Sequence, residues 1–177
     1  QSNADELIEK FISDYPTSSK QNQAYIEVAG YYFDQGKFPQ ALQYFEKVDE
    51  SALSYEQEEK FTFQKGYANF TAGNKKEAAD YFKRVENSKE YGTQAKYYLG
   101  FMQYEGNNYQ EANKYFTQVE GEEKYAEKLS YFKADMAFKS GDFQKAIDAG
   151  MTAMPKSNAS EKSELNKIIG ESYFNLK

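Results

Sequence analysis

The side chains that could carry chemistry are mostly carboxylates, and two groups of them stand out, Glu56, Glu58 and Glu59, and Glu120, Glu122 and Glu123. Two carboxylates across a cleft, one of them in an apolar pocket, would suit glycoside hydrolysis. Both groups instead fall near predicted helix starts, where acids favour the helix macrodipole without any catalytic role. The chain has no His and no Cys, which removes the commonest general base, thiol nucleophiles, disulfides and thiolate zinc sites. Calcium needs several oxygens converging on one point, with a turn glycine in the EF-hand case, and no stretch has that pattern. The reading is of a chain without catalytic residues, cofactor or metal. Asn69-Phe70-Thr71 and Asn158-Ala159-Ser160 match the glycosylation sequon, but the first lies inside a predicted helix.

Charge and bulk narrow the class further. The net charge is −6, and cations are interleaved with acids, as in Asn74-Lys75-Lys76-Glu77 and Lys83-Arg84-Val85-Glu86. Such faces are solvated helix surfaces with i,i+4 pairs, not the clustered cations that nucleic acid requires. No run of 18 apolar residues exists, so no segment reads as membrane-spanning. Gln1-Ser2-Asn3-Ala4 reads as the remnant of a cleaved purification tag and is set aside; a native signal sequence is left open. Tyr (17) and Phe (14) supply most of the apolar bulk. Large aromatics spaced along helices suit an array in which each ring fills the gap between successive helix pairs.

Those helices follow from apolar periodicity and turn residues. A first helix covers 5–14, ends at Tyr15-Pro16 and reads as the second half of a pair. Helix pairs then cover 23–35 with 39–49, 54–72 with 75–87, 89–105 with 109–120, and 122–140 with 143–154. A last helix covers 160–175. A pattern recurs along them: Gly36, Phe38, Ala41, Phe45 and Val48; Gly73, Ala78, Phe82 and Val85; Asn107, Tyr109, Ala112, Phe116 and Val119; Gly141, Phe143, Ala146, Gly150 and Ala153. The start points are 37, 34 and 34 residues apart, the spacing of a helical repeat array. The extra residues of the first interval fall at Glu50–Leu53, a longer loop. Ala29, Gly66, Gly100, Ala134 and Gly170 recur in the first helices, where small side chains let two backbones approach. Gly150 and Ala153 stand where other copies have bulk, so looser packing or tilted helices are expected there.

This arrangement resembles the tetratricopeptide repeat family across essentially the whole chain. The resemblance implies an all-α, right-handed superhelix of antiparallel helix pairs. It divides the chain into a half repeat at 5–20, whole repeats at about 22–49, 54–87, 89–120 and 122–155, and a half repeat at 160–177, a fragment of a longer array. The family's early aromatic in the first helix survives only as Tyr25, with Thr62, Lys96 and Ser130 later. Phe11, Tyr15-Pro16, Ser18, Ala24-Tyr25, Tyr31-Tyr32-Phe33 and Gly36 further resemble a bacterial envelope subgroup. It includes the periplasmic Tol–Pal partner and the outer-membrane assembly lipoprotein, adaptors without catalytic residues. The subgroup implies a periplasmic or otherwise extracytoplasmic location; cytoplasmic repeats share the turn, so that compartment stays open.

The resemblance also implies a site. One side of each first helix in the family lines a concave groove, and alignment on the small residues places Phe33, Phe63, Tyr67, Phe70, Tyr97, Phe101, Tyr104, Tyr131 and Phe138 there, with Phe174 at the end of the row. Such a stripe would hold a peptide or protein partner; stacked on sugars, the same rings would make a glycan or small-ligand binder. A different reading stands beside both. Thr62, Lys65 and Asn69 are poor core residues, and a small rotation of their helix would bury Phe63, Tyr67 and Phe70 instead. The carboxylate-gripping Lys and Asn of chaperone-binding members are not matched, since aromatic or acidic residues occupy those positions. Partner identity and oligomeric state do not follow from the residues.

Overall fold

The computed structural model describes residues 3–14 and 20–177. The Tyr15-Pro16 stop and Ser18 lie outside the described residues. The described elements are helical, with no strand among them: α1 (Asn3–Asp14), α2 (Lys20–Asp34), α3 (Phe38–Phe45), α4 (Tyr55–Thr71), α5 (Lys75–Val85), α6 (Gly92–Glu105), α7 (Tyr109–Val119), α8 (Glu123–Lys139), α9 (Phe143–Ala153) and α10 (Ala159–Asn175). Short 3-10 turns cover Glu50–Ala52 and Met154–Lys156. The chain forms two compact units, Gln1–Ala95 and Lys96–Lys177.

One turn recurs between the helices of each pair. Gly36, Gly73 and Gly141 take φ of 69°, 83° and 77°, and Asn107 takes 59°. The next residue's N–H then closes on the carbonyl five positions back: Lys37 to Tyr32 at 2.8 Å, and Asn74 to Asn69, Asn108 to Gln103 and Asp142 to Ala137 at 2.9 Å each. This satisfies helix-end carbonyls and reverses the chain. Asn substitutes for Gly at the third turn because its short polar side chain tolerates the left-handed region.

Below each turn the two helices meet at the small residues. Ala41, Ala78, Ala112 and Ala146 are fully buried, as are Phe45, Phe82 and Phe116. A methyl at Gly66 would lie 3.0 Å from Tyr81 Cβ and 3.2 Å from Phe82, and one at Gly100 would lie 2.7 Å from Phe116. Gly170 differs: it is exposed, with nothing within 4 Å of a Cβ built on it, so no described helix approaches it. The expected slack at Gly150 is also absent. Ile169 of α10 reaches to 2.9 Å from where its Cβ would be, so bulk from the following helix fills the space the missing Phe would occupy.

The rotation considered for α4 does not occur. Thr62, Lys65 and Asn69 are buried together with Phe61 and Phe63, so α4 is enclosed on nearly all sides. Each polar group has a local reason, Thr62 excepted, whose hydroxyl has no hydrogen-bond partner. The Lys65 ammonium lies 3.5 Å from both Glu46 and Glu50, and it sits over the Tyr81 ring at 5.0 Å. Glu50 also accepts from the Tyr81 hydroxyl at 3.0 Å and from Arg84 at 2.8 Å. Burial opposes its ionisation, but Arg84, Tyr81 and Lys65 outweigh it and hold the carboxyl below its ordinary range. Asn69 donates to the Lys65 carbonyl at 2.9 Å and accepts from Asn74 at 3.0 Å, so the first sequon is an interior hydrogen-bonded residue. The extra residues of the first interval thus have a structural use: the 3-10 turn presents Glu50 to Lys65. Asn22 fixes that turn's start, accepting from Asp49 N–H at 2.7 Å and donating to its carbonyl at 3.0 Å.

Candidate functional site

The aromatic row lies on α2, α4, α6 and α8, and within each unit its rings are set by one another. In the first unit Phe33, Phe38 and Tyr67 form an edge-to-face triangle with centroids 5.2–5.7 Å apart. Tyr67 continues the contact to Phe63 at 6.4 Å and to Phe70 at 6.3 Å. Phe63 is buried, stacked on Tyr91 at 5.1 Å and tilted against Phe82 at 5.8 Å. It serves as the base of the cluster, whereas Phe33, Tyr67 and Phe70 are partly exposed.

In the second unit Tyr97 stacks on Tyr125 at 4.2 Å. Phe101 and Tyr104 both pack on buried Phe132, at 5.6 Å and 4.7 Å. Tyr131 meets Phe132 edge-on at 6.0 Å, and Phe138 meets Phe143 at 6.0 Å. Tyr97, Phe101, Tyr104, Tyr131 and Phe138 all remain partly exposed. Offset and edge-to-face pairs of this kind add to area burial and fix ring orientation. Phe174 is 78 % exposed. Burial pushes the Tyr97, Tyr125 and Tyr131 phenols above their ordinary range, so all three present neutral hydroxyls.

Sequence reasoning missed a charged group in this row. Asp135 is buried and accepts from the Tyr104 hydroxyl at 2.5 Å and from Lys139 at 2.6 Å. Burial first, and then the Asp135 carboxylate, hold the Tyr104 phenol far above its usual range. The missed signal was positional. The residue after the small one is Tyr67 on α4 and Phe101 on α6, but Asp135 on α8.

Three of the six acids weighed for catalysis have structural partners. Glu59 accepts from the Tyr55 hydroxyl at 3.1 Å and from Ser88 at 2.9 Å, and Glu58 pairs with Arg84 at 3.5 Å. Glu120 pairs with Lys133. Among the described residues, no group of three or more acidic side chains is placed to hold a metal ion, and no helix is long and apolar enough to cross a membrane. A groove of about 720 Å³ opens between α7, α8 and α9, lined by Asn113, Ser130, Lys133, Met136 and Asp148 among others; no member of the aromatic row lines it.

The recurring turn, the small-residue contacts and the period are matched by a family profile. The tetratricopeptide repeat profile covers residues 29–95 and 103–158. The chain belongs to the tetratricopeptide repeat family. Solved structures with the same fold include MamA from AMB-1, at a TM-score of 0.74 and 16% identity over 90% of this chain and 84% of that one. MamA from MSR-1 aligns at 0.70 and 16% identity, covering 89% and 88%. Pseudomonas aeruginosa PilF aligns at 0.65 and 16% identity, covering 92% and 72%. At such identities the likeness is one of fold. No curated protein matches the sequence. The fold is a tetratricopeptide-type, all-α solenoid, an architecture that serves protein–protein interaction and is generally non-catalytic.

Proposed function

We propose that this chain is a non-catalytic scaffold that captures a peptide or protein partner along the first-helix faces carrying Phe33, Tyr67, Phe70, Tyr97, Phe101, Tyr104, Tyr131 and Phe138. One observation carries the reading: these rings are held by contacts with one another, with buried Phe63, Tyr125 and Phe132, and at Phe138 with Phe143, yet each is partly exposed. Pre-ordered aromatics offer contact area at little further entropic cost on binding. Phe63 belongs to the support of this surface.

The chain is further read as part of a longer array. The outer face of α10 supports this, because exposed Gly170 occupies the position at which Gly66 and Gly100 pack against the following helix. An extracytoplasmic location rests on the subgroup resemblance of residues 11–36 alone.

The test is a displayed-peptide selection against the protein, with selected peptides then titrated against variants. Phe70→Ser and Phe138→Ser are expected to weaken binding at least about tenfold, and Tyr55→Ser, at an exposed aromatic outside the row, to leave it within about twofold. Equal losses at Tyr55 and at the row, or none at the row, overturn the reading.

A further inference from the structure

In the aromatic row, one position departs in kind. Where α4 and α6 place Tyr67 and Phe101 after the small residue, α8 places a carboxylate, Asp135. Its side chain is 11% exposed, bonded to the Tyr104 hydroxyl at 2.5 Å. Tyr109 lies beside Tyr104, with ring centroids 6.3 Å apart, and Tyr131 stands one turn before Asp135 on the same helix. An acid set among tyrosines is costly to bury unless a cation accompanies it. That cation is Lys139, 2.6 Å from Asp135, over the Tyr104 ring at 5.6 Å, its own side chain 47% exposed.

We infer that the Tyr104, Tyr109, Tyr131 and Asp135 cluster is a recognition pocket for a basic side chain, lysine or arginine, of the partner, with Lys139 as the internal occupant that it displaces. The inference rests on the proposed partner-binding reading and names the chemistry of one contact within it. A carboxylate flanked by aromatic rings meets an ammonium or guanidinium with a charge-assisted hydrogen bond and a cation–π contact together. Lys139 is half in solvent and its ammonium can turn out to water, but Asp135 is then left buried without a cation. Once it leaves, Asp135 requires another cation, which an incoming basic residue supplies while excluding water. The hydrogen bond to Asp135 outweighs burial and holds the Lys139 ammonium above its ordinary range, so this place favours a charged cation. The chain's net charge of −6 draws a basic segment toward the surface before contact.

The test uses fluorescently labelled hexalysine, titrated at physiological salt and read by anisotropy, with charge-matched pairs of variants. Asp135→Asn is expected to lose at least about tenfold in affinity, while Asp148→Asn, an exposed acid on α9, stays within about twofold. Lys139→Gln vacates the pocket and is expected to gain severalfold over Lys114→Gln, which removes an equal charge from an exposed position on α7. Equal effects within either pair overturn the inference, and the lysine pair decides the matter if Asp135→Asn unfolds. Selected peptides that lose binding with Phe70→Ser while hexalysine ignores Asp135 would refute this pocket alone; the opposite pattern would refute the aromatic row alone.

Discussion

Gly100 and Gly170 occupy the same position of the repeat, so alanine at each asks what the packing does, with helix propensity held constant. In a helix interior Gly→Ala gains about 1 kcal/mol. At Gly170 nothing lies within 4 Å of the added methyl, so that gain stands alone. At Gly100 the methyl would sit 2.7 Å and 2.8 Å from two atoms of the Phe116 ring and 3.0 Å from Tyr115 Cβ. Phe116 has no room to yield: it is fully buried and stacked on Phe132 at 5.5 Å. Overpacking of this kind costs about 1–3 kcal/mol, and the rigid ring argues for the upper end. The net expectation is a loss of about 2 kcal/mol for Gly100→Ala and a gain of about 1 kcal/mol for Gly170→Ala. In melting followed by far-ultraviolet circular dichroism these become a fall of about 4–8 °C and a rise of about 2–4 °C. Gly66→Ala, whose nearest contacts are 3.0 Å and 3.2 Å, should fall between them. If Gly100→Ala raises the melting temperature as Gly170→Ala does, close helix approach is not what fixes glycine at this position.

The left-handed turn gives a second expectation: Asn107→Gly should be near neutral, whereas Asn107→Val should cost about 1–2 kcal/mol in urea denaturation. Around α4, Lys65→Ala should destabilise by about 2 kcal/mol, because it removes a buried stem packed on Phe61 and Tyr81 as well as the ammonium shared by Glu46 and Glu50, while Lys65→Met loses the ammonium alone and should stay within about 1 kcal/mol. Glu50 has a folded-state pKa below its ordinary value, so its stabilising contribution is present above the usual carboxylate range and is lost as pH falls through the lowered pKa. Glu50→Gln should therefore flatten the loss of melting temperature below about pH 4. Unchanged acid sensitivity in that variant would contradict the role given to the network.

The repeat was legible because its demands are local. A left-handed turn requires Gly36, Gly73, Gly141 or a tolerant Asn107, and a close helix approach requires Gly66 or Ala134 at a fixed distance from it. What escaped the sequence depends on groups from other elements. Lys65 looked like a poor core residue because the acids that neutralise it lie on α3's end and in the 3-10 turn. Gly150 looked like a gap because Ile169, nineteen positions later, fills it. The nine-residue aromatic row was found by register, but register cannot say that Phe63 turns under its neighbours while Tyr67 and Phe70 stay partly open. Asp135 sat in plain view within that register, and it was passed over because the row was read for rings alone.

The most direct test of the partner-binding account is to follow ring signals of isotope-labelled Phe and Tyr by NMR while a selected peptide is added. The account predicts shifts at Tyr67, Phe70, Phe101, Tyr131 and Phe138 and little change at Tyr55 or Tyr173. Shifts confined to residues outside the row, such as Tyr55, Tyr81 or Tyr115, with the row unmoved, would contradict it.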